Sequence, residues 1–211
     1  GEPAVPPTAP ISPRTLLNVL IGALLGLCAG VALVLVRERL DDTVKTPADA
    51  EQTVGLPALG VITQMPGDRK RNEIYLLAAL LYPRSPATET YRMLRANIEF
   101  ATADAAIRSL LVTSSAPSEG KTVTSSNLAI VFAQAGRRVL LIDGDLRRPG
   151  IHRLFDIPNT QGLSTLLRAD DVDYAAAVRP TEQANLWVLP TGPLPADPAE
   201  LVGSPRMVAV M

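Results

Sequence analysis

The chain has one cysteine, Cys28, so no disulfide can form within it, which fits a reducing compartment. Neither sign of charge is in excess: 20 Lys and Arg stand against 21 Asp and Glu, a net charge of -1. That balance gives no support for nucleic acid as a partner. Aromatic residues make up only 4% of a chain that is 47% hydrophobic, and part of the apolar content is concentrated in one place. His152 is the lone histidine, and a satisfied surface or core position suits it better than catalysis. A glycine is missing too: SSAPSEGKT, residues 114–122, has Ser115 where a phosphate-binding loop G-x-x-x-x-G-K-[ST] begins. The 211 residues suffice for one ordinary domain with additional segments.

From Leu16 to Val36 the chain reads LLNVLIGALLGLCAGVALVLV, 21 residues without a charge. At about 1.5 Å per residue such a helix just crosses a bilayer core of about 30 Å. A core helix of this length would have a polar face, and a signal peptide would open on basic residues. The opening here, GEPAVPPTAPISP, is acidic and proline-rich. Arg14 precedes the run while Arg37, Arg39 and Lys45 follow it, so the carboxyl side is expected in the cytoplasm. Gly22, Gly26 and Gly30 share one helical stripe, which suits close approach of a second membrane helix or reflects the general abundance of glycine there. The short proline-rich start cannot fold alone, which suggests a piece of a longer chain.

Thr46-Pro47 has the chemistry of a helix N-cap, with Gly55 as the stop. LGVI, 59–62, reads as a strand, and 63–73 as a loop whose Arg69, Lys70 and Arg71 form a solvated turn or touch anionic lipid. Ser85-Pro86 opens a second helix with Tyr91, Leu94 and Ile98 on one face. Glu89, Arg92 and Arg95 fall three apart on another stripe, where ordinary ion pairing is the simpler reading and an intersubunit clamp the sharper one.

SLLVTS, 109–114, is an apolar run that ends at the loop; a helix over 121–135 follows, with Gly136 as its stop, and then a strand at about 138–142. Strand, loop, helix and strand make a βαβ unit, and so a parallel sheet. In that context backbone N–H groups of 117–122 would ring a β-phosphate at the helix N-terminus. Lys121 would neutralise β- and γ-phosphate oxygens, and Thr122 would give its hydroxyl to Mg2+. Ser115, Ala116, Pro117, Ser118, Glu119, Gly120, Lys121, Thr122 and Val123 form the candidate nucleotide-binding set. Serine at 115 matters only if that position needs a positive φ. Asp143 and Asp145 stand at the carboxyl end of the second strand, the ligand-facing edge of such a sheet. There Asp143 is a candidate metal ligand with Thr122, and Lys121, Asp143 and Asp145 are the candidate catalytic groups. Arg147 and Arg148 approach phosphate, a neighbouring subunit or only solvent. Trp187 in NLWVLP is expected to pack in a third strand, GLSTLL (162–167) in a short helix, and PAELVG in another.

SSAPSEGKT, VLLIDGDLRRP and LPTGPLPADPAELVGSPRM together resemble the cytoplasmic domain of bacterial tyrosine kinases. The membrane run and RERLDDTVKTPADAEQTVGLPALGVI resemble the end of that family's chain-length-determinant portion, so the likeness covers nearly the whole chain. It implies an α/β fold, a P-loop NTPase-like parallel sheet flanked by helices and preceded by one transmembrane helix. It implies ATP and Mg2+ as cofactors, and tyrosine autophosphorylation coupled to export and chain-length control of capsule or exopolysaccharide. Other copies of the chain in a ring, the polymerase and export machinery, and membrane lipid would be its partners. Glu89, Arg92 and Arg95 match the family's ring-assembly motif, which reverses the preference for a plain surface helix. The implied organisation is an extracytoplasmic tail over 1–14, the span over 15–36, a juxtamembrane linker over 37–85 and a kinase domain over 86–211, in the cell (inner) membrane with the kinase domain in the cytoplasm.

Two departures stand out. The family's Walker B strand should follow Met211, where the chain stops, and the tyrosine cluster is absent; Tyr75, Tyr82, Tyr91 and Tyr174 are scattered. These predict weak activity for this chain. Two rival readings remain: a partitioning-type ATPase, which would carry a second lysine where Ala116 stands, and a non-catalytic polysaccharide scaffold with a regulatory ATP site.

Overall fold

A computed structural model describes residues 14–41, 46–63, 74–103, 108–168 and 174–210. The chain divides into two compact units, Gly1–Leu56 and Pro57–Met211. In the first, α1 (Thr15–Arg39) is one unbroken helix exposed along its length, long and apolar enough to cross a membrane, with Arg37 and Arg39 in its last turn. α2 (Pro47–Val54) begins as its sequence dictates. The Thr46 side chain accepts from the Asp49 N–H, the Asp49 carboxylate accepts from the Thr46 N–H, and Gly55 closes the helix at φ 71°.

The second unit opens with a 3-10 turn at Ile74–Leu77 that runs into α3 (Ala78–Leu81). α4 (Pro86–Ala101) is capped by Ser85, whose hydroxyl accepts from the Thr88 N–H, and has proline in its first turn. Tyr91 and Ile98 are buried from one face of it, as their spacing predicts. α5 (Lys121–Gln134) is enclosed over most of its circumference, with Ser126 through Val131 buried, and Gly136 leaves it at φ 84°. β1 (Val139–Ile142) follows, then α6 (Ile151–Leu154), α7 (Leu163–Leu166), α8 (Tyr174–Ala177), β2 (Arg179–Pro180), β3 (Leu186–Leu189), α9 (Pro198–Val202) and α10 (Pro205–Val210).

The three strands lie in the order β1-β3-β2. β1 and β3 are parallel, Val139 opposite Leu186 through Ile142 opposite Leu189, and β2 adds a short antiparallel edge to β3. Alternation along the strands divides the core. Leu141, Leu186 and Val188 join Leu128, Ile130 and Val131 of α5 and Tyr91 and Ile98 of α4 on one face. Leu189 and Ile142 join Leu146, Leu163, Leu166, Leu167 and Ala177 on the other. A wholly buried side chain such as Ile130 contributes about 1.5–3 kcal/mol by burial, so the first cluster fixes α5 against β1, and the second packs the helices after β1 on the other face.

Two expected strands are absent from the described residues. LGVI has no strand partner; Val61 is exposed, and Asn97 of α4 donates to the Leu59 carbonyl at 2.8 Å instead. The run 109–114 makes no strand hydrogen bonds either, and Leu111 is 88% exposed. An apolar run becomes a strand only where a neighbouring edge meets it. Here residues 108–113 and the free edge of β1 line the walls of a cleft of about 1600 Å3 without pairing. The basic cluster Arg69, Lys70 and Arg71 lies outside the described residues.

Candidate nucleotide site

At the loop that enters α5, the backbone answers the question Ser115 raises. Within residues 114–122 only Ser118 (φ 66°) and Gly120 (φ 84°) are left-handed. Ser115 is not, so no glycine is needed there. Gly120 is the cap of α5, and its carbonyl accepts the first helical hydrogen bond, from the Thr124 N–H at 2.8 Å. A helix of 14 residues therefore points its N–H groups at the loop, and Lys121 and Thr122 occupy its first turn.

The loop is also tied across its own width. The Ser115 hydroxyl donates to both oxygens of Glu119, at 3.1 and 3.2 Å, and the Ala116 N–H donates to Oε2 at 3.0 Å. The Ala116 N–H, and then the Ser115 hydroxyl, hold the exposed Glu119 carboxyl below its ordinary range.

Beyond β1 the two aspartates behave differently. Asp143 is 3% exposed. Its N–H continues the ladder to the Leu189 carbonyl, and its carbonyl accepts from the Thr191 hydroxyl. Its Oδ1 accepts from the Asp145 N–H at 3.2 Å, and its Oδ2 from the Gly150 and Ile151 N–H groups, both at 3.0 Å. Asp143 thus organises the turn from 144 to 151. Asp145 is carried by that turn, and its Oδ1 accepts from the Arg148 and Arg147 N–H groups. Its Oδ2 lies 3.4 Å from Lys121 Nζ. Burial pushes the Asp145 carboxyl up, but the Arg148 and Arg147 N–H groups and the Lys121 ammonium outweigh it and hold the carboxyl below its usual range.

Lys121, Thr122, Asp143 and Asp145 all line the cleft, so the structure brings the four candidates to one place. Arg147 joins them on the cleft wall. His152 is apart in character: its Nδ1 is buried with no hydrogen-bond partner. On α4, Arg92 pairs with Glu89, while Arg95 turns inward, donating to the Val131 carbonyl of α5 at 3.1 Å.

Two contributors have little sequence signal. At Gly150 a β-carbon would stand 3.2 Å from the Thr122 methyl, a tight approach that would crowd that side chain. Asn127, wholly buried in α5, accepts from the Ala79 N–H and donates to the Leu76 and Val123 carbonyls, fastening the segment before α4 to the helix that carries Lys121. An asparagine inside SSNLAIVFA was the available hint, since an amide amid apolar residues must find partners.

No three His, Cys, Asp or Glu side chains gather among the described residues. A divalent cation here would draw on Thr122, the two aspartates and the nucleotide's own oxygens, a donor set of the kind Mg2+ accepts beside phosphates.

Residues 110–161, which run from before the loop to beyond α6, match the CobQ/CobB/MinD/ParA nucleotide binding domain. The solved BceF tyrosine kinase domain superposes with a TM-score of 0.70 at 32% identity, over 79% of this chain and 70% of that one. The chain belongs to the bacterial tyrosine kinase family. Tyrosine-protein kinase YwqD of Bacillus subtilis (strain 168), a relative, is 47% identical over 130 residues, which are 61% of this chain and 54% of YwqD. A Klebsiella pneumoniae protein provisionally named a tyrosine-protein kinase in the cps region is 32% identical over 220 residues, all of this chain and 30% of its own. This bacterial tyrosine kinase sequence therefore spans about half the length of the first relative and less than a third of the second.

Proposed function

We propose that the chain is the nucleotide-binding part of a membrane-anchored, ATP-dependent protein-tyrosine kinase. It phosphorylates its own kind on tyrosine in the service of capsule or exopolysaccharide polymerisation, export and chain-length control. The observation that carries the reading is the placement of Lys121 at the N-terminus of α5, 3.4 Å from an aspartate beyond the adjoining strand. An ammonium at a helix N-terminus suits β- and γ-phosphate oxygens, and a neighbouring carboxylate suits the hydroxyl that attacks them.

The roles then divide. Lys121 exchanges Asp145 for phosphate and holds the triphosphate in register. Thr122 offers its hydroxyl beside it, with Gly150 leaving that side chain its room. Asp145, released from Lys121, receives the proton of the tyrosine hydroxyl at Oδ2. Asp143 keeps the turn in shape through three backbone N–H groups and has one lone pair left, on Oδ1, for the cation's shell. Magnesium, when bound, would neutralise charge on the transferring phosphoryl group. Glu89 and Arg92, on the wet side of α4, would meet a second copy of the chain in a ring, with Arg95 setting α4 against α5. Residues 15–36 would cross the inner membrane, with 1–14 outside, 37–85 as linker and 86–211 as the kinase domain in the cytoplasm.

The test is Lys121→Met in the protein as the cell makes it, followed by phosphotyrosine blotting and by the length distribution of the polymer. Loss of phosphotyrosine together with altered polymer length supports the reading. Undiminished phosphotyrosine overturns the catalytic assignment. Loss of phosphotyrosine with unchanged polymer length assigns polymer control to a scaffold instead.

A further inference from the structure

The phosphate loop lacks its first glycine yet closes without strain at Ser115, and the contacts across it say how. We infer that Glu119 is a positioning residue: its carboxylate, by gripping the Ser115 hydroxyl and the Ala116 N–H, braces the loop in the shape that receives phosphate. The inference rests on the nucleotide reading above and gives a specific role to a residue that the sequence places only as a member of the nucleotide-binding set.

Three contacts converge on one side chain. Ser115 Oγ lies 3.1 and 3.2 Å from the two carboxylate oxygens, and the Ala116 N–H lies 3.0 Å from Oε2. One step earlier the Ser114 hydroxyl donates to the Ala116 carbonyl at 3.0 Å, so the peptide groups on both sides of Ala116 are held. The grip spans 115 to 119, the stretch between the end of the apolar run and Gly120. It sits just ahead of the left-handed pair Ser118 and Gly120 that turns the chain into α5. A flexible loop must lose its backbone freedom before its N–H groups converge on an anion. A carboxylate chord already in place removes part of that loss from the binding step. Ser115 is then a functional substitution: glycine offers no hydroxyl to Glu119, and serine does.

The brace differs in its consequences from two other roles a loop carboxylate could have. A side chain that occupied the phosphate position would compete with nucleotide, and its removal would tighten binding. A side chain that touched nucleotide or cation directly would act independently of Ser115. The experiment uses the full 211-residue chain in detergent micelles, with Ser115→Ala, Glu119→Ala, Glu119→Gln and the Ser115→Ala/Glu119→Ala double variant. Mg·ATP affinity is read by calorimetry, and exchange of the Ala116 amide by NMR without nucleotide. Expected are about fivefold weaker binding in Glu119→Ala, an intermediate loss in Glu119→Gln, which keeps one acceptor, and a double variant no weaker than Glu119→Ala alone. The Ala116 amide should exchange several-fold faster in Glu119→Ala than in the unsubstituted chain, with the thermal unfolding midpoint unchanged because Glu119 is exposed. Tighter binding in Glu119→Ala, multiplicative losses in the double variant, or equal Ala116 exchange rates each overturn the brace. If the parent chain binds no Mg·ATP while Ala116 still loses protection in Glu119→Ala, the nucleotide reading fails and the brace stands.

Discussion

Replacing Asp143 with asparagine swaps one oxygen for an NH2 group, and its effect is set by three backbone donors. The Asp145 N–H points at Oδ1, and the Gly150 and Ile151 N–H groups point at Oδ2. An amide has only one oxygen. Turned toward Gly150 and Ile151, it leaves its own NH2 facing the Asp145 N–H; turned the other way, it faces two donors. At least one bond to a charged acceptor is lost, a part-buried one in the first orientation, which costs about 1.5–3 kcal/mol. Asp143→Ala strands all three donors and removes a side chain that is only 3% exposed, so about 4 kcal/mol or more is expected. The single tryptophan, Trp187, lies in β3 opposite Leu140 and reports unfolding of this unit by fluorescence. Urea midpoints should therefore fall in the order parent, Asp143→Asn, Asp143→Ala. An unfolding free energy for Asp143→Asn within about 0.5 kcal/mol of the unsubstituted chain would refute the claim that this carboxylate organises the turn. Any loss of phosphorylation in Asp143 variants would then report the turn as well as the proposed chemistry, a distinction the stability measurement resolves.

Three further outcomes follow from single contacts. Gly162→Ala should destabilise by about 3 kcal/mol or more, since its β-carbon would fall 2.0 Å from the Pro190 carbonyl oxygen and 2.4 Å from the Gly192 nitrogen, both backbone atoms; the Trp187 urea midpoint measures it. Ser118→Gly should stabilise by roughly 0.5 kcal/mol, the left-handed strain relieved at φ 66° less the added freedom of the unfolded chain. An unchanged or lower midpoint would contradict that. The depressed carboxyl of Asp145 contributes stability that is present above its unfolded pKa of about 3.9 and is lost as pH falls through its folded value. Lys121→Met removes part of that depression, so urea midpoints taken from pH 5 downward should decline less steeply in the variant than in the parent; parallel acid limbs would count against the Lys121–Asp145 pairing.

Much of this architecture is legible in local chemistry. Thr46-Pro47 and Ser85-Pro86 announce the starts of α2 and α4, Gly136 ends α5 with its positive φ, and VLLI, LWVL and LSTL form the elements their patterns suggest. The meeting of Lys121 with Asp145 is legible for the same reason: a loop and a helix followed by a parallel strand bring both to one sheet edge. What escapes sequence reasoning depends on partners far away in the chain. LGVI and SLLVTS have strand composition, but no edge pairs with them among the described residues. β2 is two residues, one of them proline, and is a strand only because Val188 and Trp187 present an edge to it. The inward turn of Arg95 depends on the Val131 carbonyl, 36 positions on, which no charge pattern on α4 reveals. The grip of Glu119 on Ser115 is local, yet a missing glycine reads as a defect until the loop's φ angles show that none was required.

Calorimetric titration of the full chain with Mg·ATP, alongside Lys121→Met, tests the central claim most directly. Saturable one-to-one binding in the parent that is abolished in the variant is the predicted result. Equal binding by both, or none by the parent, would contradict a nucleotide site built on the entry to α5.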